Sequence, residues 1–223
     1  MLTDILKRHQ PFQPVVLFDP AADQLYPMDF TAANTALTPE ILDDEFLFSD
    51  YVTQTLAKYH AAFGIGGYDE HRTIYSRSAH FNTADEPRSL HLAIDIWGPA
   101  GTPVYAPLDG QIHSFQFNDD YHDYGATIIL RHVLEGVTFH TLYGHLSLAD
   151  LDGLQAGARV AAGQMIAHMG PLAENGHWPP HLHFQLIIDM EGKAGDYPGV
   201  CRYSERDKYL ANCPDPNLIL MAL

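Results

Sequence analysis

His181-Leu182-His183-Phe184 sets two imidazoles two residues apart. In an extended strand such residues point to the same side, so both rings share one face while Leu182 and Phe184 enter a core on the other. Pro179 and Pro180 hold the approach in extended backbone. One ring can bind a metal ion while its neighbour stands beside it. His91-Leu92-Ala93-Ile94-Asp95 adds an imidazole and a carboxylate four residues apart, again on one face if the segment is extended throughout. Ile94, Ile96 and Trp97 favour strand there. In Tyr143-Gly144-His145-Leu146, Gly144 permits a sharp turn or a close backbone approach, which would leave His145 at the rim of a sheet. The chain has fourteen histidines. Taken singly, each motif is equally an ordinary feature: a half-buried strand, a strand-end aspartate bonded to a loop, a turn histidine.

Together they fit one scheme. His91, Asp95 and His183 supply three nitrogen and oxygen ligands to one zinc ion per chain and leave a fourth position for water, as in catalytic zinc sites. Zinc lowers the pKa of that water and polarises a carbonyl. His145 and His181 remain for proton transfer and for steadying a tetrahedral intermediate.

Short strands and turns must position these residues. Pro103 to Ala106, Gln111 to Phe117, Thr127 to Val133, Val137 to Tyr143, Met165 to His168 and His181 to Ile188 read as strands, with Leu134-Glu135-Gly136 as a hairpin connection. Val160 and Met165 to His168 flank a turn at Ala162-Gly163. Segments 71–81 and 89–97 read as extended. A helix is expected from about Asp50 to Phe63, capped by Ser49 or Asp50 and stopped by Gly64. Ser204 with Asp207 resembles a capping box before a short C-terminal helix. The sum is a mainly β chain with minor α content: an antiparallel β core at 89–190, a leader at 1–88 with one helix and an extended strap, and a tail at 191–223 packed on the core. The stretch 66–88, with Arg72, Arg77, His80 and Asn82, runs into the metal motif and is read either as a cover over the cleft or as a simple packing strap.

Composition narrows the partners. A formal charge of −16 over 223 residues opposes nucleic acid and anionic membrane surfaces. No run has the length of a membrane-spanning helix, and the N-terminus lacks the pattern of a signal peptide, so a cytoplasmic setting is expected. Cys201 and Cys213 are read as unpaired structural thiols rather than a disulfide. The turn pairs around Asp109-Gly110 and Gly163-Gln164 also resemble lipoyl or biotinyl carriers, but no lysine occurs between Lys58 and Lys193 to take the attachment.

The ordered set His91-x-x-x-Asp95, Tyr143-Gly144-His145 and His181-Leu182-His183-Phe184 resembles the lysostaphin or LytM-type zinc metallopeptidases. So do Gly101-Thr102-Pro103-Val104-Tyr105-Ala106-Pro107 with Asp109-Gly110, and Val160 to Ala167. The resemblance implies the duplicated hybrid-motif fold of that family. It also implies His91, Asp95 and His183 as zinc ligands, His145 and His181 as catalytic residues, and hydrolysis of peptide bonds, often at glycine-containing bridges or stems of peptidoglycan. Ala93 stands where the family often has glycine, and Gln185 where an acid commonly follows the last motif. Glu174 to Pro180 replaces a small, polar loop, so Trp178, with Tyr143 and Arg72, is expected to shape the substrate cleft. The flanks, Glu70 to Arg77 and Gly195 to Pro216, look like a peptidase module fused elsewhere to a small-molecule phosphotransferase and a class III aminotransferase, which implies a metabolic partner. The expected substrate is a peptide or small amide; the alternative is a non-catalytic metal-binding or regulatory module on the same fold.

Overall fold

The computed structural model describes residues 1–221 apart from 20, 73–74, 76–80 and 82–85. Helix α1 (Leu2–His9) is followed by β1 (Leu25–Met28), α2 (Pro39–Asp43), α3 (Glu45–Lys58), β2 (Phe63–Gly66) and β3 (Glu70–His71). Then come β4 (Arg88–His91), β5 (Ile94–Trp97), β6 (Pro103–Tyr105), β7 (Gly110–Asn118), β8 (Gly125–Leu134) and β9 (Val137–Leu146). The chain continues through β10 (Arg159–Val160), β11 (Met165–His168), β12 (His181–Ile187), β13 (Val200–Arg202), α4 (Arg206–Asn212) and α5 (Asn217–Leu220). The expected class holds: mainly β, antiparallel, with few helices.

Eight strands form the main sheet in the order β1-β2-β5-β12-β9-β8-β7-β10, antiparallel except for β1 beside β2. Period-two alternation sorts its side chains. Ile94, Ile96, Ile128, Leu130, Tyr143, Leu182, Phe184 and Leu186 enter one core. Trp97, Ile129, Leu142 and Ile187 face the other side, where Met190, Tyr197 and the leader cover them. Every residue of β12 is buried, as expected of a strand covered on both faces. Glu135 and Gly136 alone join β8 to β9, whose register starts at Leu134 opposite Val137.

The leader is more deeply built in than a strap. Its β1 and β2 extend the main sheet next to β5, and Leu2 and Leu6 of α1 sit in the central core. Residues 1–70 therefore cannot be removed without opening that sheet. Helix α3 begins five residues earlier than the sequence suggests, because the Asp44 carboxylate accepts from the backbone N–H groups of Phe46 and Leu47. Gly64 does not stop that helix; it lies in β2. Gly66 is required there, since a Cβ would come 2.8 Å from Arg72 Nη2. Segment 89–97 is two strands rather than one. β4 pairs with β13 and β3 in a small sheet, and β5 belongs to the main sheet. β10 and β11 do not pair across their turn: β10 adds to β7 and β11 to β6. Ser204 caps nothing; its hydroxyl donates to Glu86, and α4 starts without a side-chain cap. Cys201 and Cys213 are both buried and free.

His132, 1% exposed on β8, donates from Nδ1 to the Asp109 carbonyl at 2.8 Å and accepts from the Thr141 hydroxyl at 2.8 Å. Burial pushes its pKa from 6.5 down to about 4, against the opposing Asp109 carbonyl and with His140 nearby. Between those values the unfolded chain binds more protons, so this contribution is complete above pH 6.5 and is lost as pH falls towards 4. At 1.36 kcal/mol per unit the loss is about 3 kcal/mol. Urea unfolding at pH 7 and pH 4.5 should show a shallower pH slope for His132→Gln than for the parent; equal slopes would refute the assignment.

Candidate metal centre and catalytic cleft

Two rungs of the main sheet build the site. Asp95 of β5 stands opposite Gly66 of β2 on one side and His183 of β12 on the other, and His183 stands opposite Gly144 of β9. One rung further, Gly64, Trp97 and His181 line up in the same way. Asp95, Trp97, His181 and His183 thus share one face by register alone. His91 comes from the end of β4, in the small sheet, just before the chain turns at Leu92-Ala93 into β5.

His91 Nε2 lies 3.2 Å from His183 Nδ1 and 3.3 Å from Asp95 Oδ1, and His183 Nδ1 lies 3.3 Å from Asp95 Oδ1. A tetrahedral ion about 2.0 Å from each donor needs edges of about 3.3 Å. All three residues are buried, and Asp95 Oδ1 has no hydrogen-bond donor. A buried carboxylate oxygen left without a donor is costly, and a cation removes that cost. The donor set fits zinc. Among the described residues it is the one cluster of three or more such groups that could hold a metal ion.

Each ligand is fixed by its second contact. His91 Nδ1 donates to the Gly67 carbonyl at 2.9 Å, which leaves Nε2 for the ion. His183 Nε2 donates to Gln185 Oε1 at 2.9 Å, which leaves Nδ1. Gln185 is itself oriented, because its amide donates to the Pro198 carbonyl and to Cys213 Sγ. Such partners set the tautomer and aim of metal-binding histidines. Arg72 Nη1 donates to Asp95 Oδ2 at 2.5 Å. Burial raises the pKa of Asp95, but His91 and Arg72 outweigh it and hold the carboxyl well below its usual range. Burial, with Arg72 beside it, lowers the pKa of His91.

His145 comes to this face through a bulge. The β8–β9 register slips between Ala126 and Ile128, so one residue of β9 is extra, and His145 takes a left-handed φ of 62°. A bulge re-aims a side chain, and here the imidazole turns towards His181, ring centroids 4.1 Å apart. His145 Nδ1 donates to the Asn175 carbonyl at 2.8 Å and His181 Nδ1 to the Pro179 carbonyl at 2.7 Å. Both Nε2 lone pairs are left for the cleft. Burial and the neighbouring His181 and His183 push His145 well below its usual pKa; burial pushes His181 down to about 4. Both are neutral near pH 7.

The cavity beside these groups measures ≈ 160 Å³ and is lined by Asp95, His145, His181 and His183 with Tyr75, Phe81, Trp178 and others. Trp178 lines this cavity. Arg72 lines the cavity too, but its contacts go to Asp95, Glu70 and Tyr75. Tyr143 is not a cleft residue. The alternation of β9 sends it to the opposite core, fully buried against Phe184. Its place is taken by Tyr124, whose ring fills the space over Gly144, where a Cβ would lie 2.6 Å from it. The Tyr124 hydroxyl donates to the Tyr197 carbonyl and lies 3.4 Å from His183 Nε2. Glu174 points away from the cleft and accepts from Ser147 and Leu148. Tyr75 and Phe81 show that the leader does reach the cleft; Arg77, His80 and Asn82 lie outside the described residues.

The donor cluster and the cavity beside it make this a candidate metal centre in a mainly β domain, and known proteins share parts of this chain. Residues 89–196 match the family model described as peptidase family M23, a span that includes His91, Asp95, His145, His181 and His183. The DD-carboxypeptidase/endopeptidase Mpg of Neisseria meningitidis serogroup B is 34% identical over 129 residues, which cover 56% of this chain and 27% of that protein. An uncharacterized metalloprotease of Haemophilus influenzae is 32% identical over 99 residues, 44% of this chain and 19% of that protein. The chain thus spans about a quarter of the first of these relatives and less of the second. Among solved structures, the lysostaphin solution structure is 27% identical with a TM-score of 0.37, covering 51% of this chain and 41% of that one. The catalytic domain of lysostaphin from Staphylococcus simulans is 23% identical with a TM-score of 0.37, covering 54% and 80%. No helix among the described residues is long and apolar enough to cross a membrane.

Proposed function

We propose that this chain is a zinc-dependent hydrolase that cleaves a peptide or amide bond in a small, glycine-containing peptide. The observation that carries the reading is the triangle of His91 Nε2, Asp95 Oδ1 and His183 Nδ1 beside a cavity into which two neutral histidines turn. These three atoms would hold the zinc, which when bound supplies Lewis acidity: it polarises a carbonyl and lowers the pKa of water. The rest falls to the chain's own residues. His145 and His181, with Nε2 unprotonated, are poised to accept a proton from the attacking water. The ring that takes the proton becomes a donor and can pass it to the leaving nitrogen. Trp97 stacks on His181 at 3.9 Å and restrains that ring. The activity in the name of the neisserial relative, a DD-carboxypeptidase/endopeptidase, is of the same reaction type. A reducing compartment suits the two free, buried thiols.

The cavity sets the substrate size. A cavity of ≈ 160 Å³ walled by Tyr75, Phe81 and Trp178 supports a small peptide as the substrate. Zinc-loaded protein is expected to hydrolyse di- and triglycine amides, to lose that activity to a chelator and to regain it with zinc. Trp178→Ala should raise kcat/KM for a pentapeptide several-fold relative to a dipeptide. Stoichiometric zinc without cleavage of any such peptide would overturn the reading in favour of a binding module.

A further inference from the structure

We infer that Arg72, which lies outside the segment matched by family M23, is a positioning residue of the metal centre: it occupies one oxygen of Asp95 so that the other alone is offered to the ion. The inference rests on the reading of His91, Asp95 and His183 as a metal site.

Arg72 reaches the site from the leader. Its backbone N–H donates to the Ser89 carbonyl at 2.8 Å, which ties this stretch to β4. The side chain crosses Gly66, and the guanidinium lies 5.2 Å from the Phe30 ring and 5.8 Å from the Tyr75 ring. Nε donates to Glu70 Oε2 at 2.6 Å; Nη1 donates to the Tyr75 hydroxyl at 2.9 Å and to Asp95 Oδ2 at 2.5 Å. The residue is 1% exposed, and Nη2 has no acceptor among the described residues.

Stability alone does not account for such a group. Apolar side chains of similar volume cover a strand as well as a buried ion pair does, often better, and an unpaired donor adds a cost. What an apolar residue could not do is divide the two oxygens of Asp95. With Oδ2 held by Nη1, Oδ1 faces His91 and His183 at 3.3 Å from each. Without the guanidinium the carboxylate is free to rotate, to chelate through both oxygens, or to bond a ligand histidine. A cation this close also repels a metal dication, so the two effects oppose. Loss of an outer partner of a metal ligand usually costs 10- to 100-fold in affinity, which places positioning ahead of repulsion. Glu70 and Asp95 together carry one more charge than Arg72 neutralises, which offsets the repulsion further.

The test uses the full chain with Arg72→Met, Arg72→Lys and Glu70→Gln. Zinc affinity is measured by chelator competition and coordination by the visible spectrum of the cobalt-substituted protein. Arg72→Met is expected to bind zinc about 10- to 100-fold more weakly and to change the cobalt bands as Asp95 alters its mode. Arg72→Lys, a single-point donor, should fall between Met and the parent. Glu70→Gln leaves the contact with Asp95 in place and should stay within about threefold of the parent, well short of that loss. Parent-like affinity and spectra in both Arg72 variants would overturn the inference. So would a Glu70→Gln loss equal to that of Arg72→Met, which would make the group a structural ion pair. If the methionine variant does not fold, the lysine variant decides. Failure to cleave peptides bears on the hydrolase reading and leaves this result untouched.

Discussion

His183→Ala is expected to fold and to lose zinc, with affinity reduced more than 100-fold and hydrolysis abolished. His183 is the middle of the three donors. It sits on β12, between β5 and β9, and its Nδ1 is 3.2 Å from His91 Nε2 and 3.3 Å from Asp95 Oδ1. Outer partners of metal ligands cost 10- to 100-fold when removed, and loss of a ligand itself exceeds that. Folding should survive because Leu182 and Phe184, which anchor β12 in the core, point the other way. The variant also relieves the metal-free chain of three polar groups crowded within hydrogen-bonding distance. Zinc content after dialysis, read beside the circular dichroism spectrum, checks both halves. One equivalent of zinc retained by a folded variant would remove His183 from the ligand set.

The fold was legible where alternation is strong and the partner strand is near in sequence. β7, β8, β9 and β12 fall close to where hydrophobic rhythm and turn residues put them. The break between β4 and β5 left no mark, because Leu92 and Ala93 are as apolar and buried as the strands on either side. What bends the chain there is distant: the Leu92 N–H donates to the Gly199 carbonyl of the tail. β1 and β2 were missed for a related reason. Pro27, Gly64 and Gly66 are residue types that break regular structure, yet β5 gives β2 an edge and β2 gives one to β1, and the glycines make room for Met28 and Arg72.

The site divides along the same line. His181 and His183 share a face because register puts i and i+2 on one side of β12, but the other residues reach the same place by routes that spacing does not describe. His91 and Asp95 converge although the extended geometry assumed for them does not hold; two strands of different sheets meet at the ion instead. Tyr143 went to the wrong face because residues before a bulge keep the alternation that His145 breaks. Gln185 follows the same two-residue rule, since it meets His183 from the same face of β12, whereas Asn175 and Tyr124 carry no local signal. Asn175 acts through a backbone carbonyl and Tyr124 lies against a residue far along the chain, and neither is written in residue type.

His181→Ala and His145→Ala are expected to keep one zinc per chain and to lower kcat by about 10²- to 10⁴-fold. Neither ring belongs to the triangle, and both have Nδ1 committed to a carbonyl, so under the proposed function their Nε2 atoms would serve the substrate rather than the ion. The two should differ in KM. His181 stacks on Trp97 and lies on a regular strand, so its loss leaves the cavity wall standing. His145 is held in left-handed backbone by Asn175, whose side chain also fixes the loop through Gly170 and Trp178. Alanine at that position keeps the cost of positive φ, of order 1–3 kcal/mol, without the hydrogen bond that holds it. The loop bearing Trp178 should then loosen, and KM for small peptides should rise together with the fall in kcat, whereas His181→Ala should change kcat alone. Steady-state kinetics with metal analysis on the same samples separates these outcomes. Undiminished turnover in the zinc-loaded His181→Ala protein would strip that residue of its role and leave His145 as the group that handles the proton.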